Sequence, residues 1–125
     1  MLHHVSLGST DLKRARAFYD PVMEALGLRL TFESEEAVGY GAGITAFSLN
    51  LPANGAEASP GNGVHVAFEV ENRAAVDAFH RVAMAQGGTS DGAPGLRPEY
   101  DANYYAAFVR DPDGNKIEAL TFMAA

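Results

Sequence analysis

The sequence contains no cysteine, and this absence removes several kinds of chemistry at once. Without cysteine there is no disulfide framework, no thiolate metal site and no cysteine nucleophile, which fits an expected cytoplasmic location. Apolar residues occur only in short runs, none near the roughly 18 residues typical of a membrane span. The N-terminal segment MLHHVSLGSTDL lacks a basic stretch followed by an apolar run, so no signal peptide is expected.

The sequence is also poor in basic residues. It has 9 Lys and Arg against 16 Asp and Glu, which gives a formal net charge of −7. This acidity argues against nucleic acid or an anionic membrane as a main partner. The motifs G-x-S-x-G, P-loop and G-x-G-x-x-G are missing as well. The composition indicates a packed domain, because 47% of the 125 residues are hydrophobic.

One pattern occurs twice in the sequence. The first copy, HVSLGSTDLKRARAFYDPVMEALGL, begins at His4, and the second, HVAFEVENRAAVDAFHRVAMAQGGT, begins at His65. In both copies an aromatic residue follows the histidine by 14 positions and a glycine by 23 positions (Phe18 and Phe79, Gly27 and Gly88). Two strand–helix units with an imidazole at the same register predict paired modules that share a site.

Hydrophobic periodicity predicts the order β-α-β-β-β in each half of the chain. Two helices for about eight strands favour an α+β fold over a parallel α/β sheet. The predicted modules span residues 1–51 and 63–123, joined by a Pro- and Gly-rich linker at 52–62. The predicted strands cover 2–8, 28–33, 37–40, 44–51, 64–70, 104–110 and 116–122, with 91–103 irregular.

Local signals also set the predicted helix limits. Thr10 or Asp11 is a plausible N-cap for the first helix, and Gly27 suits its exit. Pro21 is expected to bend that helix or to end its first half. The second helix is predicted over 73–86, with glycines after it.

Three residues in predicted strands are potential metal ligands, namely His4, His65 and Glu118. Two imidazoles and one carboxylate form a facial set that leaves coordination positions open for substrate or water. Glu118 lies in the apolar run KIEALTF, so its side chain is either solvated at a rim or buried and paired. His3 is a competitor for His4, although the repeat register favours His4, and His80 is interpreted as a surface or packing residue.

The acid–base group is not fixed by the sequence. Glu99, Asp101 and the tyrosines of the 91–105 segment are candidates, because that segment is expected to cover the site. Among the tyrosines, Tyr105 is a candidate catalytic residue, together with Glu118. Packing is the alternative role for the tyrosines.

The sequence resembles the vicinal-oxygen-chelate superfamily of glyoxalases, bleomycin-resistance proteins, fosfomycin thiol transferases and extradiol dioxygenases. The resemblance rests on HVSLGSTDLKRARAFY, ALGL, GVHVAFEV and, most specifically, FVRDPDGNKIEAL. It implies one glyoxalase/bleomycin-resistance-like domain over 1–125, in which paired βαβββ modules form a cupped, mostly antiparallel mixed sheet with helices outside. It also implies one divalent ion (Zn, Ni, Mn, Fe or Co) held by His4, His65 and Glu118, and a homodimer. Two arrangements stay open, a metal site within one chain and a site that combines modules of two chains.

The sequence departs from glyoxalase I at one expected ligand. That enzyme has a carboxylate on the last strand of its first module, whereas here the strand reads ITAFSLNL. Aligning Gly43-Ile44 with Gly114-Asn115 puts Phe47 opposite Glu118, with Ser48 next to it. The remaining two-His, one-Glu set is like that of the thiol transferases and dioxygenases.

The resemblance implies a metal-dependent enzyme acting on a small substrate with neighbouring oxygens. Lyase, isomerase, thiol transferase and dioxygenase chemistry all stay open at this point. The alternative is a metal-free protein that binds and sequesters a small, antibiotic-type molecule between its modules.

Overall fold

The chain folds as two copies of a β-α-β-β-β unit, described here by a computed structural model of all 125 residues. This confirms the predicted α+β class and the order of elements in each half. The first unit comprises β1 Val5–Gly8, α1 Leu12–Ala25, β2 Arg29–Glu33, β3 Ala37–Gly41 and β4 Thr45–Asn50. The second comprises β5 His65–Glu69, α2 Arg73–Ala85, β6 Thr89–Leu96, β7 Tyr105–Arg110 and β8 Lys116–Thr121.

Each unit forms its own four-stranded mixed sheet. The strand orders are β1-β4-β3-β2 and β5-β8-β7-β6, so the two sheets have the same topology. The first strand of each unit runs parallel to the last strand, and the other pairings are antiparallel. Strands β1 and β5 therefore lie at sheet edges with one side of their backbone unpaired.

A shared apolar core joins the two units. Helix α1 packs against one face of the first sheet and α2 against one face of the second, and the two helices also contact each other. The largest fully buried apolar side chains include Phe18, Tyr19, Tyr40, Phe47 and Phe79. Since this face of each sheet is covered by the core, the opposite face is the one available for a site. Neither helix is both long enough and apolar enough to span a bilayer.

The helix ends follow the local signals in the sequence. The Asp11 side chain accepts from the Arg14 amide at 3.1 Å, so Asp11 rather than Thr10 is the N-cap of α1. Gly27 follows the helix with φ at +82°, a conformation that glycine adopts without strain. The Asn72 side chain caps α2 in the same way, at 2.9 Å from the Ala75 amide.

Of the two outcomes expected for Pro21, a bend in α1 or an end to its first half, the second is wrong. The helix runs from Leu12 to Ala25 with Pro21 inside it. Phe18, Val22 and Met23 are fully buried on either side of the proline. The burial of these side chains outweighs the one intrahelical hydrogen bond that proline removes.

The prediction that residues 91–103 are irregular is wrong for their first part. Thr89–Leu96 forms β6, which pairs with β7 through a register that shifts between Ser90 and Gly92 and again between Gly92 and Gly95. The glycines and the bulges erase the period-two alternation that identifies a strand in a sequence. Because β6 is an edge strand, it also tolerates a proline.

Candidate functional site

The uncovered face of the second sheet carries a pocket of about 530 Å³. The pocket is lined by residues of all four strands of this sheet and of the segment between β6 and β7. Polar and charged groups dominate its lining, which consists of His65, Asp91, Gly92, Arg97, Tyr100, Tyr104, Phe108, Lys116 and Glu118.

His65 and Glu118 meet on this face because of the parallel pairing of β5 with β8. The register places Ala67 opposite Glu118 and His65 opposite Lys116, so His65 and Glu118 are diagonal neighbours on one side of the sheet. The His65 Nε2 atom lies 3.1 Å from Glu118 Oε1. The Glu118 residue is 2% exposed, whereas the His65 side chain is 44% exposed. The glutamate is thus buried and paired, the second of the two options that the sequence left open.

Tyr104 holds the other oxygen of this carboxylate. Its hydroxyl donates a hydrogen bond to Glu118 Oε2 at 2.5 Å. Burial raises the pKa of Tyr104 well above its usual value, and the hydrogen bond to Glu118 raises it further. The hydroxyl therefore remains a proton donor at neutral pH, and both oxygens of Glu118 have a partner.

The structure does not bring His4 to this pair within one chain. The predicted strand began at residue 2, but β1 begins at Val5, so His4 lies just outside it. The His4 side chain is exposed, and its Nδ1 lies 2.9 Å from Nδ1 of His3. No group of three or more His, Asp or Glu side chains in the chain is arranged to hold a metal ion. The predicted ligand set thus has two members side by side and the third elsewhere.

The counterpart of Glu118 in the first module is Ser48, so the alignment that put Phe47 there is wrong. Ser6 pairs with Ser48 between β1 and β4, as Ala67 pairs with Glu118 between β5 and β8. Phe47 instead points into the core. The register of β3 with β4 shifts at Gly41, and this bulge moves the strand by one residue relative to an alignment made on the turns.

Ser48 makes a small polar network with its neighbours. Its hydroxyl lies 2.7 Å from that of Ser6 and 2.9 Å from Asn50 Oδ1. These are neutral oxygens, and no carboxylate joins them. The first module therefore contributes hydroxyl and amide groups where the second contributes an acid.

The candidate acid–base groups lie in different places. The Tyr105 hydroxyl donates to Asp77 of α2 at 2.6 Å, on the side of the sheet opposite Glu118. Glu99 and Asp101 are exposed and do not line the pocket, and the Asp101 carboxylate accepts from the Asn103 amide. Tyr104 is thus the tyrosine that the structure places beside Glu118.

His80, interpreted from the sequence as a surface or packing residue, lies outside the pocket, and its Nε2 atom is hydrogen-bonded to Ser90 Oγ at 2.8 Å. Arg97, by contrast, lines the pocket although no sequence motif indicated it. Nothing in its local pattern, LRPEY, distinguishes it from a surface arginine.

The geometry of His65 and Glu118 fits two positions in a metal coordination sphere. Ligand atoms at about 2.1 Å from a metal lie roughly 3.0 Å apart in octahedral and roughly 3.4 Å apart in tetrahedral geometry. The 3.1 Å between Nε2 and Oε1 falls in this range. An imidazole and a carboxylate together also suit the borderline divalent metals. A complete site needs at least one more protein donor.

Comparisons with known proteins agree with this architecture. The model of the Glyoxalase/Bleomycin resistance protein/Dioxygenase superfamily matches residues 1–119. Lactoylglutathione lyase of Salmonella typhimurium is 35% identical over 130 aligned positions, which cover 95% of this chain and 90% of that protein.

Solved structures are similar over nearly the whole chain. A glyoxalase/bleomycin resistance protein from Albidiferax ferrireducens is 36% identical with a TM-score of 0.88, covering 94% of this chain and 96% of that one. A family enzyme from Burkholderia phytofirmans is 25% identical with a TM-score of 0.75, covering 98% of both chains.

Proposed function

The chain belongs to the Glyoxalase/Bleomycin resistance protein/Dioxygenase superfamily, and we propose that it is a divalent-metal-dependent enzyme of the glyoxalase-like lyase or isomerase type. Its substrate is a small molecule with neighbouring oxygen atoms. The observation that carries the proposal is the His65–Glu118 pair, whose 3.1 Å separation on an open face suits adjacent metal ligands. The relative named lactoylglutathione lyase supports the lyase type.

Three residues of the pocket have separate roles around the metal. His65 presents Nε2 and Glu118 presents a carboxylate oxygen as ligands, and Tyr104 orients that carboxylate from its other side. When bound, a divalent metal supplies Lewis-acid stabilisation of negative charge developing on a substrate oxygen. The exposed side of His65 leaves room for a substrate to approach through the pocket. Zn, Ni, Mn, Fe and Co all suit this donor set.

We place the third ligand, His4, in the same site through a homodimer. Strands β1 and β5 are equivalent edge strands of their sheets; His4 directly precedes β1, and His65 is the first residue of β5. Setting the β1 edge of one copy beside the β5 edge of another brings His4 of one chain toward the His65–Glu118 pair of the other. A two-fold arrangement of this kind creates two equal sites.

The absence of a fourth ligand, the carboxylate expected on the last strand of the first module, bears on the type of enzyme. Ser48 is the counterpart of Glu118 in the first module, and its hydroxyl is hydrogen-bonded to that of Ser6. A three-ligand set leaves one more coordination position open than a four-ligand set. We propose that this extra position admits a substrate that binds through two oxygens.

Metal binding is the first test. Protein purified without a His-tag is loaded separately with Ni²⁺, Zn²⁺, Mn²⁺ and Fe²⁺, and stoichiometry and affinity are measured by calorimetry. We expect His65→Ala, Glu118→Gln and His4→Ala each to weaken binding strongly, while His80→Ala, a histidine outside the pocket, leaves it unchanged. Unchanged binding in all three site variants would refute the metal site.

Mixing two defective variants tests whether the site is shared. If His4 comes from a second copy, a heterodimer of His4→Ala with Glu118→Gln contains one intact site and one doubly defective site. We therefore expect each heterodimer to bind metal at one of its two sites, whereas neither variant alone has an intact site. If the site lies within one chain, mixing restores nothing.

A metal-free binding protein is the second candidate function. It is favoured by one observation, that a single chain gathers no three His, Asp or Glu donors. In that case the pocket would bind small ligands equally well before and after treatment with a chelator. Lactoylglutathione lyase activity, assayed with each metal, separates the two: activity that depends on added metal supports the enzyme.

A further inference from the structure

The pocket that holds His65 and Glu118 also contains two basic side chains, which differ in how their charge is balanced. Lys116 Nζ lies 3.6 Å from Asp91 Oδ2, and the same carboxylate oxygen accepts from Arg110 Nε at 3.1 Å. Arg97 has no such partner, since none of the ion pairs in the structure includes its guanidinium group. Arg97 is therefore the basic side chain of the pocket that has no carboxylate partner.

Neutral groups hold the Arg97 guanidinium in a fixed position. Nη1 donates to the Gly95 carbonyl at 2.8 Å and Nη2 donates to the Ala93 carbonyl at 2.9 Å. The guanidinium also lies over the Phe108 ring, 5.5 Å from its centroid. A guanidinium has five N–H donors, so these bonds leave some of them free for a ligand.

The backbone of β6 is shaped around this side chain. A Cβ atom at Gly92 would lie 3.1 Å from Arg97 Nη2 and 3.0 Å from Phe108 Cδ2, and one at Gly95 would lie 3.3 Å from Arg97 Nη1. Both glycines sit at the register shifts of β6. The bulges and the missing side chains together make the space in which the guanidinium lies.

We propose that Arg97 binds a carboxylate of the substrate, so that the pocket takes a small organic anion whose apolar part lies against Phe108 and Tyr104. A planar guanidinium held in place matches a carboxylate through two parallel hydrogen bonds. The chain as a whole repels anions, because its net charge is −7, so a local cation is needed to bind one. The inference deepens the proposed function by naming the substrate class, and it rests on that function only for the role of the pocket as the substrate site.

The test uses matched ligands and metal-free protein. Chelator-treated protein labelled with ¹⁵N is titrated with benzoate, with its neutral isostere benzamide and with phenyl phosphate. We expect benzoate to bind about tenfold more tightly than benzamide, the effect of one charge-assisted interaction. The shifts should centre on Arg97 Nε, Gly92 and Phe108. Equal affinity for benzoate and benzamide, or shifts elsewhere, would overturn the proposal, and tighter binding of phenyl phosphate would overturn the choice of carboxylate.

Variants complete the design. Arg97→Gln should remove the preference for benzoate while leaving weak benzamide binding and the dispersion of the spectrum unchanged. Arg81→Gln, which removes an exposed arginine of α2 outside the pocket, should keep the full preference. The benzoate titration uses metal-free protein, so the two proposals can fail separately. A failure of the metal-binding test refutes the proposed enzyme and leaves the benzoate result standing. A missing preference for benzoate refutes the anion site and leaves the proposed enzyme standing.

Discussion

The Tyr19 hydroxyl donates a hydrogen bond to Asp111 Oδ2 at 2.6 Å, across 92 positions of sequence. Tyr19 belongs to α1 of the first module, and Asp111 begins the turn between β7 and β8 of the second. Both residues are buried, at 0% and 4% exposure. This bond therefore links the two modules directly.

The Asp111 carboxylate organises the whole turn that precedes Glu118. Its Oδ1 accepts from the backbone amides of Asp113 and Asn115, each at 2.9 Å. The Asn115 side-chain amide donates to Asp111 Oδ2 at 3.0 Å and to the Gly8 carbonyl at 2.9 Å. The motif DPDGN thus fixes the start of β8 against β1, which explains why the turn carries so specific a sequence.

We expect Asp111→Ala to destabilise the protein by about 3 kcal/mol or more, because it leaves buried donors on Tyr19 and Asn115 without an acceptor. Urea unfolding followed by circular dichroism measures the change. Glu24→Ala, which removes an exposed carboxylate of α1, is the control and should stay within about 0.5 kcal/mol of the parent. Equal stability of the two variants would show that the link between modules contributes little.

Alkaline pH should weaken the fold through Tyr19. Burial raises the pKa of Tyr19 well above 10, and the neighbouring Asp111 raises it further. The folded state therefore keeps a proton that the unfolded state loses above pH 10. The stabilisation is complete below pH 10 and is lost as pH rises through the folded-state pKa.

The expected slope is about 1.4 kcal/mol of unfolding free energy per pH unit for each such tyrosine. Tyr40, whose pKa is also raised by burial and by its bond to Asp20, adds to the slope. Urea midpoints measured between pH 9 and pH 12 test this. Tyr19→Phe should be less stable at pH 8 but show a shallower decline, and an unchanged slope would contradict the assignment.

The sequence was sufficient to predict most of the fold because its signals are local. The apolar periodicity and the caps of α1 and α2 survive in the structure, since each helix buries one continuous face. Strand β6 was missed because its pairing with β7 is made by backbone atoms around two bulges, and its side chains carry no alternation. Tertiary pairing, not local preference, makes it a strand.

The candidate site was predictable only in part. The repeat identified His65, whereas the apolar surroundings of Glu118 in the sequence left its side chain either solvated or buried and paired, and the structure shows the second. The contact with Tyr104 depends on the path of the segment between β6 and β7, which no periodicity specifies. In the proposed homodimer the position of His4 depends on which sheet edges meet, a contact between chains that the periodicity of one chain does not specify.

Replacing Pro21 should stabilise the protein. Pro21 has no N–H to donate to the Ala17 carbonyl, one turn earlier in α1. We expect Pro21→Ala to raise the free energy of unfolding by about 1 kcal/mol or more, since proline is disfavoured in helix interiors. Lys13→Ala, at an exposed position of the same helix, serves as the matched control for added alanine. A loss of stability in Pro21→Ala would mean that the helix geometry depends on the proline ring.

Adjacent tyrosines allow a sharp test of how Glu118 is positioned. Tyr104 donates to Glu118, whereas Tyr105 donates to Asp77 on the opposite side of the sheet. Removing an outer hydrogen bond to a metal-ligating carboxylate weakens metal binding by about tenfold or more. We therefore expect Tyr104→Phe to lose about tenfold in Ni²⁺ affinity by calorimetry, and Tyr105→Phe to lose none, although each variant lacks one hydroxyl of the same strand region. Equal losses in the two variants would indicate a general effect on stability, and no loss in Tyr104→Phe would show that Glu118 is positioned by the sheet alone.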